Sequence, residues 1–194
     1  MRILYFNDFF SQHDAHHLRY HAEYGHSTLL LTRHRNDGDL EMARSIRGLE
    51  IVHWPEPAPP WPDANLAQKA SKVFKAIGDL RRLHKVIDSF RPDLIHARWV
   101  PSAGFLTACT GFHPLVLTPY GSDVLLAQQR GLSDLWRTRM ALISADRIHC
   151  DANVVRDAIL ELAPAIPSDR ISVFPDLGVH TGLFKPGRNN ALRR

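Results

Sequence analysis

The stretch of sequence that decides the fold is Leu115–Leu126, which reads LVLTPYGSDVLL. Its opening LVLT run is typical of a buried strand, and Pro119 and Gly121 then end that strand. Ser122 and Asp123 are favourable N-cap residues for a following helix. Turns from a strand into a helix bind anionic ligands, because backbone N–H groups and the positive end of the helix dipole converge there. The stretch therefore predicts an α/β protein with a ligand site at this turn.

Strand-like and helix-like segments alternate along the rest of the chain. The predicted strands are Arg2–Phe6, Ser27–Thr32, Leu49–Trp54, Asp93–Ala97, Leu115–Thr118, Arg147–Asp151 and Ile171–Phe174. Helices are predicted between them at Ala15–Tyr24, Ser102–Thr110, Leu135–Ser144 and Val154–Leu162. This order predicts a Rossmann-like doubly wound parallel sheet of about seven strands, with helices on both faces.

One further helix is predicted from the clearest apolar pattern in the chain. Apolar residues recur at spacings of three and four on one expected face: Leu66, Ala70, Val73, Phe74, Ile77, Leu80, Leu83 and Ile87. The dipeptide Arg91-Pro92 ends this helix. The segment 55–62, which precedes the helix, contains five prolines and is interpreted as a polyproline-type loop, either functional or a plain surface connection.

Composition and charge limit the class of protein. The 194 residues suit one domain, and 44% apolar with 23% charged residues is ordinary for a globular protein. The net charge of +4 is too small to indicate nucleic-acid binding by itself. It is explained by a solvated basic face, or by a preference for phosphate-bearing substrates or an anionic membrane surface.

The cysteines and the N-terminus indicate a cytoplasmic protein. Cys109 and Cys150 lie in apolar segments without CxxC spacing, so we expect two buried, reduced thiols. No apolar run approaches the ~20 residues that span a bilayer. The apolar start of the chain is followed at once by Asn7 and Asp8, which is unlike a signal peptide.

Polar and aromatic residues follow the predicted strands, at the edge of a parallel sheet where ligands bind. The candidate site residues are Asn7, His13, His96, Arg98, Trp99, Tyr120, Gly121, Ser122, Asp123 and Asn153. The sequence contains no GxGxxG, which argues against a dinucleotide-dependent dehydrogenase. Hydroxyl, amide, imidazole, guanidinium and aromatic groups together suit a sugar or polyol better than an apolar ligand.

Each of these residues also has a purely structural interpretation. Trp99 can pack on the following helix, Arg98 can pair with a surface carboxylate, and Tyr120 can be an aromatic residue of the turn. Asp123 can be an N-cap only. If the site interpretation is right, we expect Asp123→Ala and Arg98→Ala to abolish binding of the ligand at this edge and to leave thermal stability nearly unchanged.

Three histidines, His13, His17 and His21, lie four residues apart and could line one helix face. No cysteine completes a ligand set and no HExxH is present, so we predict no metal site and expect these histidines to face solvent.

Several segments together resemble retaining family-4 glycosyltransferases of the GT-B fold. They are RPDLIHARW at 91–99, LTPYGSD at 117–123, ADRIHCD at 145–151 and VFPDLGVHTGLFKP at 173–186. The last of them resembles the link between the two domains of that fold. The resemblance implies that residues 1–174 are the N-terminal, acceptor-side domain and that 175–194 are the linker. It also implies that the nucleotide-sugar domain, with its paired glutamates, is absent from this chain.

The chain departs from the family pattern at three places. Phe10–Ala15 has no glycine where the family usually has a pair, Tyr120 stands where many members have histidine, and His180 replaces an aspartate. Tyr120 is a poor general base near neutral pH, because the pKa of a tyrosine in water is ~10. The resemblance nevertheless implies Tyr120 and Asp123 as catalytic candidates, and the other eight candidate residues as substrate-binding.

The function implied by the resemblance is sugar transfer, with retention, from a nucleotide-sugar co-substrate to a hydroxyl acceptor, without a metal or other cofactor. Gly121 and Ser122 could stabilise charge on a phosphate or the acceptor through their N–H groups. The acceptor could be a sugar or a lipid-linked hydroxyl compound, with peripheral association at the inner face of the membrane. The alternative is a non-catalytic module that binds a sugar or a partner chain. A flavodoxin-like binding domain is a third hypothesis.

Overall fold

The computed structural model describes residues 1–33, 37–55 and 66–175. The predicted linker 175–194 and the proline-rich segment 55–62 lie outside the described residues, apart from Pro175 and Pro55. The strands are β1 Arg2–Asn7, β2 Ser27–Thr32, β3 Leu49–His53, β4 Leu94–Arg98, β5 Leu115–Thr118, β6 Arg147–Cys150 and β7 Ile171–Val173. The α-helices are α1 Gln12–Glu23, α2 Asp37–Arg44, α3 Leu66–Phe90, α4 Phe105–Ala108, α5 Ser122–Leu125, α6 Leu132–Ser144 and α7 Asn153–Leu162.

The strands form a single parallel sheet in the order β3-β2-β1-β4-β5-β6-β7. The predicted Rossmann-like α/β fold is therefore confirmed. From β1 the chain first builds outward through β2 and β3, and it then returns to add β4 on the other side of β1. The sheet thus has a topological switch point between β1 and β4, and ligands of such sheets bind beyond the carboxyl ends of the strands there.

The two faces of the sheet are buried against different helices, because successive residues of a strand point to opposite sides. Leu4, Phe6 and Ile95 belong to the larger core, which also includes residues of α3, α6 and α7. Tyr5 and Leu30 belong to the smaller core, which α1 covers with Leu18 and other residues. Tyr5 therefore faces α1, and its neighbour on β4 in the sheet register is His96.

Several predicted helix positions differ from the structure. The helix α2 is not predicted by the sequence pattern, because DGDLEMAR has few apolar residues and an early glycine. The predicted helix Ser102–Thr110 is instead a π-helical turn, Val100–Gly104, followed by the short α4. Trp99, directly before this turn, has a φ of +67°, and its carbonyl oxygen accepts hydrogen bonds from the N–H of Ser102 and of Gly104 in place of the regular α-helical pattern. The helix α6 begins at Leu132, before the predicted Leu135.

The apolar face predicted for α3 is only partly buried. Leu83 and Phe90 lie in the core, and Val86 and Ile87 pack against it. Phe74, by contrast, is 75% exposed and Ile77 is 42% exposed, so the predicted apolar face is not buried at these two residues. The C-terminal half of α3 packs on the larger core. The side chains of Leu66, Ala70 and Val73, also assigned to the predicted face, lie outside the described part of the structure. A helical period identifies an apolar face but does not say how much of its length finds a partner.

Cys150 is buried as predicted, whereas Cys109 is exposed at the end of α4. The prediction for Cys109 is wrong because α4 is much shorter than the predicted helix. Within the described ranges, no helix combines the length and apolarity needed to cross a membrane.

Candidate functional site

The strands β1, β4, β5 and β6 are neighbours in the sheet, so the residues that follow them meet at one edge. Phe9 follows β1, Trp99 follows β4, Tyr120 follows β5 and Asn153 begins the helix after β6. The helix α1 also starts at this edge, so its first turn lies beside them. This edge is therefore the candidate functional site.

The carboxylate of Asp14, in the first turn of α1, is the centre of a buried polar network. Its side chain is fully buried and accepts hydrogen bonds from Tyr5 Oη at 2.8 Å and from the backbone N and Oγ of Ser11 at 2.7 Å. Tyr120 Oη lies 3.0 Å from Asp14 Oδ2, and Arg98 Nη1 lies 3.5 Å from Oδ1. Asp14 therefore ties α1 to β1, β4 and the turn after β5.

Arg98, predicted to line an open cleft, is instead buried, with 1% of its surface exposed. Its guanidinium lies 4.3 Å from the centre of the Tyr120 ring and beside Asp14. A buried guanidinium is stable only where a carboxylate and π-electron faces compensate its lost hydration. Arg98 therefore lies beneath the site, where its guanidinium packs against the buried side of the Tyr120 ring.

Tyr120 joins this network at the surface of the site. Its hydroxyl lies 3.0 Å from the Phe9 carbonyl oxygen and 3.0 Å from Asp14 Oδ2, and its single proton can be donated to one of them at a time. Burial, and then the charge of Asp14, raise the pKa of Tyr120 well above its ordinary value. Its hydroxyl therefore stays protonated and donates a hydrogen bond, which makes Tyr120 a poorer general base than a tyrosine in water.

Three aromatic rings, with one arginine beside them, form a surface that we call the aromatic platform: Phe9, Trp99, Tyr120 and Arg130. Phe9 is 53% exposed and meets Trp99 edge to face, with ring centres 5.4 Å apart. Trp99 and Tyr120 are half-buried, with ring centres 6.1 Å apart. The Arg130 guanidinium lies 4.8 Å from the Trp99 ring centre. Such rings offer flat, apolar faces at the edge where a ligand is expected.

The backbone of Trp99 is strained. Its φ is +67°, in the left-handed region that a side chain other than glycine rarely adopts. The following π-helical turn holds this conformation, because the Trp99 carbonyl oxygen accepts hydrogen bonds from the N–H of Ser102 and of Gly104. Strain of this kind is concentrated at functional sites. Here it turns the indole toward Phe9 and Tyr120.

Asp123 is fully buried, rather than open to a ligand as predicted. Its Oδ2 accepts a hydrogen bond from Val100 N at 3.0 Å, which joins α5 to the π-helical turn. Burial raises the pKa of the Asp123 carboxyl, and the N–H of Val100 opposes that shift. Gly121, with φ of +93°, makes the turn that brings Asp123 inward, a conformation that glycine adopts without strain. Asp123 therefore positions Trp99 through the turn that follows it.

Replacing Asp123 with alanine is expected to lower the free energy of unfolding by about 1–3 kcal/mol, because the buried Val100 N–H loses its acceptor. This corrects the expectation from sequence that stability would be nearly unchanged. The measurement is urea denaturation, with Ser122→Ala as the control, since Ser122 is an exposed neighbour. If both variants unfold at the same urea concentration, the Asp123 contact does not stabilise the fold.

The other predicted site residues are placed unevenly around this edge. Asn7 is fully buried, and neither its amide nitrogen nor its amide oxygen has a hydrogen-bond partner within the described structure. His96 is buried, and its Nε2 lies 2.8 Å from Thr118 Oγ1. His13 is half-buried, whereas Ser122 and Asn153 are exposed. Ser122, His13 and Asn153 are therefore the predicted polar residues that a ligand at this edge can reach.

Two of the three spaced histidines do not face solvent as predicted. His17 and His21 lie on the side of α1 that packs on the sheet, and both are half-buried. We call the group His17, His21, His96 and His149 the imidazole row. Ring centres are 5.5 Å apart for His17 and His96 and 6.4 Å apart for His17 and His149. Among the described residues, no group of three His, Cys, Asp or Glu side chains could hold a metal ion.

Residues that sequence reasoning missed are Asp14, Phe9 and Arg130. A signal for Asp14 is present, because Ser11 and Asp14 have the three-residue spacing of a capping box at a helix start. Phe9 lies three residues after the predicted strand Arg2–Phe6 and could have been selected by position. Arg130 has no local signal, since a 3-10 turn at Ala127–Arg130 brings it to Trp99.

Comparison with known proteins identifies a family. The model of a family described as a glycosyl transferase 4-like domain matches residues 12–176. No curated protein matches the sequence.

Solved structures with a similar fold include Anabaena Alr3699/HepE in complex with UDP and glucose, with a TM-score of 0.62, 17% identity, and coverage of 100% of this chain and 49% of that one. The UDP-GlcNAc 2-epimerase of Methanocaldococcus jannaschii has a TM-score of 0.56 at 9% identity, covering 89% of this chain and 45% of that one. The glycotransferase of kitacinnamycin has a TM-score of 0.54 at 16% identity, covering 96% and 54%. At these identities the likeness shows the fold alone, and the chain spans about half the length of each of these proteins.

Proposed function

Because the chain belongs to the glycosyl transferase 4-like domain family, we propose that it forms the acceptor-side wall of a glycosyltransferase. The observation that carries this proposal is the aromatic platform at the carboxyl edge of the sheet. The rings of Phe9 and Trp99 are accessible there, and sugar rings stack their C–H faces on such surfaces. The hydroxyl of Ser122 and the imidazole of His13 supply polar contacts beside them.

The donor in this proposal is a nucleotide-sugar, bound by a second domain. The chain spans only about half the length of each similar structure, which is compatible with such a domain. HepE has been solved with UDP, with UDP-glucose and with UDP and glucose together, which supports a uridine nucleotide as the first donor to test. Residues 1–174 are the acceptor domain in this proposal, and 175–194 lead toward the second domain. The two cysteines are free thiols, which is typical of cytoplasmic proteins. We propose that the domain encounters its nucleotide-sugar donor in the cytoplasm.

The reaction we propose is transfer with retention. The acceptor oxygen forms a bond to the anomeric carbon, the bond from that carbon to the diphosphate breaks, and the hydroxyl proton passes to the departing phosphate. In this scheme no side chain of the chain acts as a base. Asp14, Arg98 and Asp123 are positioning residues, because they hold Tyr120 and Trp99 without reaching the surface themselves.

The test is a titration of the 194-residue chain with simple sugars. Binding is detected by NMR through shifts of the tryptophan indole N–H signals. Methyl glycosides are expected to shift the Trp99 indole signal, identified by its loss in Trp99→Phe, and UDP-glucose is expected to leave it unchanged. Trp99→Ala should weaken glycoside binding at least about tenfold, or ~1.4 kcal/mol, because the stacking face is lost. Phe74→Ala removes an exposed aromatic ring on α3 and should have no effect.

Three results would contradict the proposal. If UDP-glucose shifts the Trp99 signal and the glycosides do not, this edge is a donor site. If the chain alone transfers glucose from UDP-glucose, no second domain is needed and the division into domains is wrong. Glycoside binding without transfer, even when a donor domain is supplied, would support the non-catalytic sugar-binding module instead.

A further inference from the structure

The π-helical turn Val100–Gly104, which follows Trp99, is held from two sides by buried carboxylates. On one side, Asp123 accepts the hydrogen bond from Val100 N described above. On the other side lies Asp8, the first residue after β1, which is 7% exposed. The Asp8 carboxylate accepts hydrogen bonds from the Ser102 hydroxyl and from the N–H of Ala103. Asp8 has no part in the transfer scheme, so its burial against this turn needs another explanation.

Arg33, the first residue after β2, completes the contact on that side. Its Nη1 donates hydrogen bonds to Asp8 Oδ1 and to Ser102 Oγ, and its Nε donates to the Pro55 carbonyl oxygen at 3.1 Å. Arg33 is 8% exposed. We call the group Asp8, Arg33 and Ser102 the polar clamp. The polar clamp joins the ends of β1, β2 and β3 to the turn that follows β4.

Ser102 connects the polar clamp to the aromatic platform. Its hydroxyl contacts Arg33, and its backbone N–H donates to the Trp99 carbonyl oxygen at 3.3 Å. Trp99 has the strained φ of +67°, and backbone strain persists only where the surrounding structure enforces it. The path from the Arg33 guanidinium to the strained residue therefore consists of two hydrogen bonds, both made by Ser102.

The chemistry of the polar clamp favours control of geometry over a gain in stability. Burial raises the pKa of Asp8, and the charge of Arg33 opposes that shift, so each charge compensates the lost hydration of the other. A buried ion pair is often no more stabilising than apolar side chains of the same size. A guanidinium differs from them because its planar fork fixes the directions of several acceptors at once. Here those acceptors belong to Asp8, Ser102 and Pro55.

We propose that Arg33 is a positioning residue of the aromatic platform, oriented by Asp8 and acting on Trp99 through Ser102. The polar clamp keeps the π-helical turn in the one conformation that presents the indole to a ligand. No residue of the polar clamp touches that ligand. The inference rests on the proposed function only in taking glycoside binding as the activity that Trp99 supports.

The test uses two variants of the 194-residue chain that leave no charge buried alone. Ser102→Ala removes the connecting hydroxyl and keeps the ion pair. The double variant Asp8→Asn with Arg33→Gln replaces the ion pair with two neutral amides. Each is expected to shift and broaden the Trp99 indole N–H signal before any sugar is added. Each should also weaken methyl glycoside binding about fivefold or more, because Trp99 leaves its strained conformation when the support is lost.

Controls separate this effect from a general loosening of the domain. Ser102→Thr keeps the hydroxyl and should restore both the signal and the affinity. Ser45→Ala and Arg139→Gln remove a hydroxyl and a guanidinium that bond the carbonyl oxygens of Met42 and Leu162, and both should behave like the unaltered chain. Ser102→Ala added to the double variant should weaken binding by less than about a further twofold, because both changes act through one turn.

The ligand-free signal distinguishes failure of this inference from failure of the proposed function. If glycosides do not bind the unaltered chain but both variants move the Trp99 signal, the proposed function is wrong and the positioning role of Arg33 stands. If both variants leave the signal unchanged, the polar clamp does not position Trp99. The inference is also overturned if Arg139→Gln moves the signal as far, or if Ser102→Thr behaves like Ser102→Ala.

Discussion

Replacing Asp14 with alanine is expected to lower the free energy of unfolding by about 3–5 kcal/mol, the largest effect of any substitution that we anticipate. The change leaves the buried Arg98 guanidinium without its carboxylate. It also deprives the hydroxyls of Tyr5 and Tyr120 of a shared acceptor. Because Tyr5 and Arg98 are removed from water, solvent does not replace the contacts that these two groups lose.

The measurement is equilibrium urea denaturation followed by circular dichroism. Asp157→Ala is the control, since Asp157 forms an ion pair with Arg156 at 2.8 Å on the exposed surface and should cost less than about 1 kcal/mol. The loss of unfolding free energy for Asp14→Asn should fall between those of the two alanine variants, because an amide retains one acceptor oxygen but loses the negative charge. If Asp14→Ala is as stable as Asp157→Ala, the polar network is not what attaches α1 to the sheet.

Acidification is expected to destabilise the protein steeply between about pH 6.5 and pH 4. Burial, and then the charges of neighbouring histidines, lower the pKa of His21 from 6.5 to about 4, and the same causes lower the pKa of His96. In this window these histidines are protonated in the unfolded chain but stay neutral in the folded chain. Their contribution to the free energy of unfolding is therefore fully present above pH 6.5 and is lost as the pH falls. At pH 5, His21 alone accounts for a loss on the order of 2 kcal/mol, at ~1.4 kcal/mol per unit.

The check is the urea midpoint measured at steps of pH through this window. His96→Gln is the informative variant, because glutamine can still meet the Thr118 hydroxyl but does not titrate. Its stability should depend on pH less steeply than that of the unaltered chain. His16→Gln, at an exposed position of α1, should leave the dependence as it is. Equal slopes for all three chains would mean that the imidazole row is not responsible.

The sheet could be predicted from the sequence because its signals are local. Each strand is a short apolar run with a turn at its end, and the stretch LVLTPYGSD contains both. The parallel order follows from the alternation of strands and helices. The burial of α3 could not be predicted in the same way, since Phe74 obeys the helical period and yet finds no partner in the described part of the chain. The period of apolar residues identifies one face of a helix, whereas burial of that face also requires another element that packs against it.

The site was harder to predict than the fold, because its geometry depends on contacts between distant segments. The position of Trp99 and Tyr120 at strand ends could be deduced, and both lie at the predicted edge. The inward direction of Arg98 and Asp123 could not, since it depends on Asp14 and on the Val100 N–H. Arg98 and Asp14 are far apart in sequence, and nothing near either residue indicates that they meet.

The order of strands in the sheet has a consequence for how the chain is made. During synthesis on the ribosome, β1, β2 and β3 are complete once His53 has emerged, whereas β4 begins only at Leu94. Until then β1 has an unpaired edge, and the carboxylate of Asp14 has no cationic partner because Arg98 has not yet been synthesised. An open strand edge of this kind attracts other chains. A message that stops before codon 98 therefore yields a fragment that is prone to association with other chains, because β1 keeps an unpaired edge and Asp14 lacks the guanidinium of Arg98.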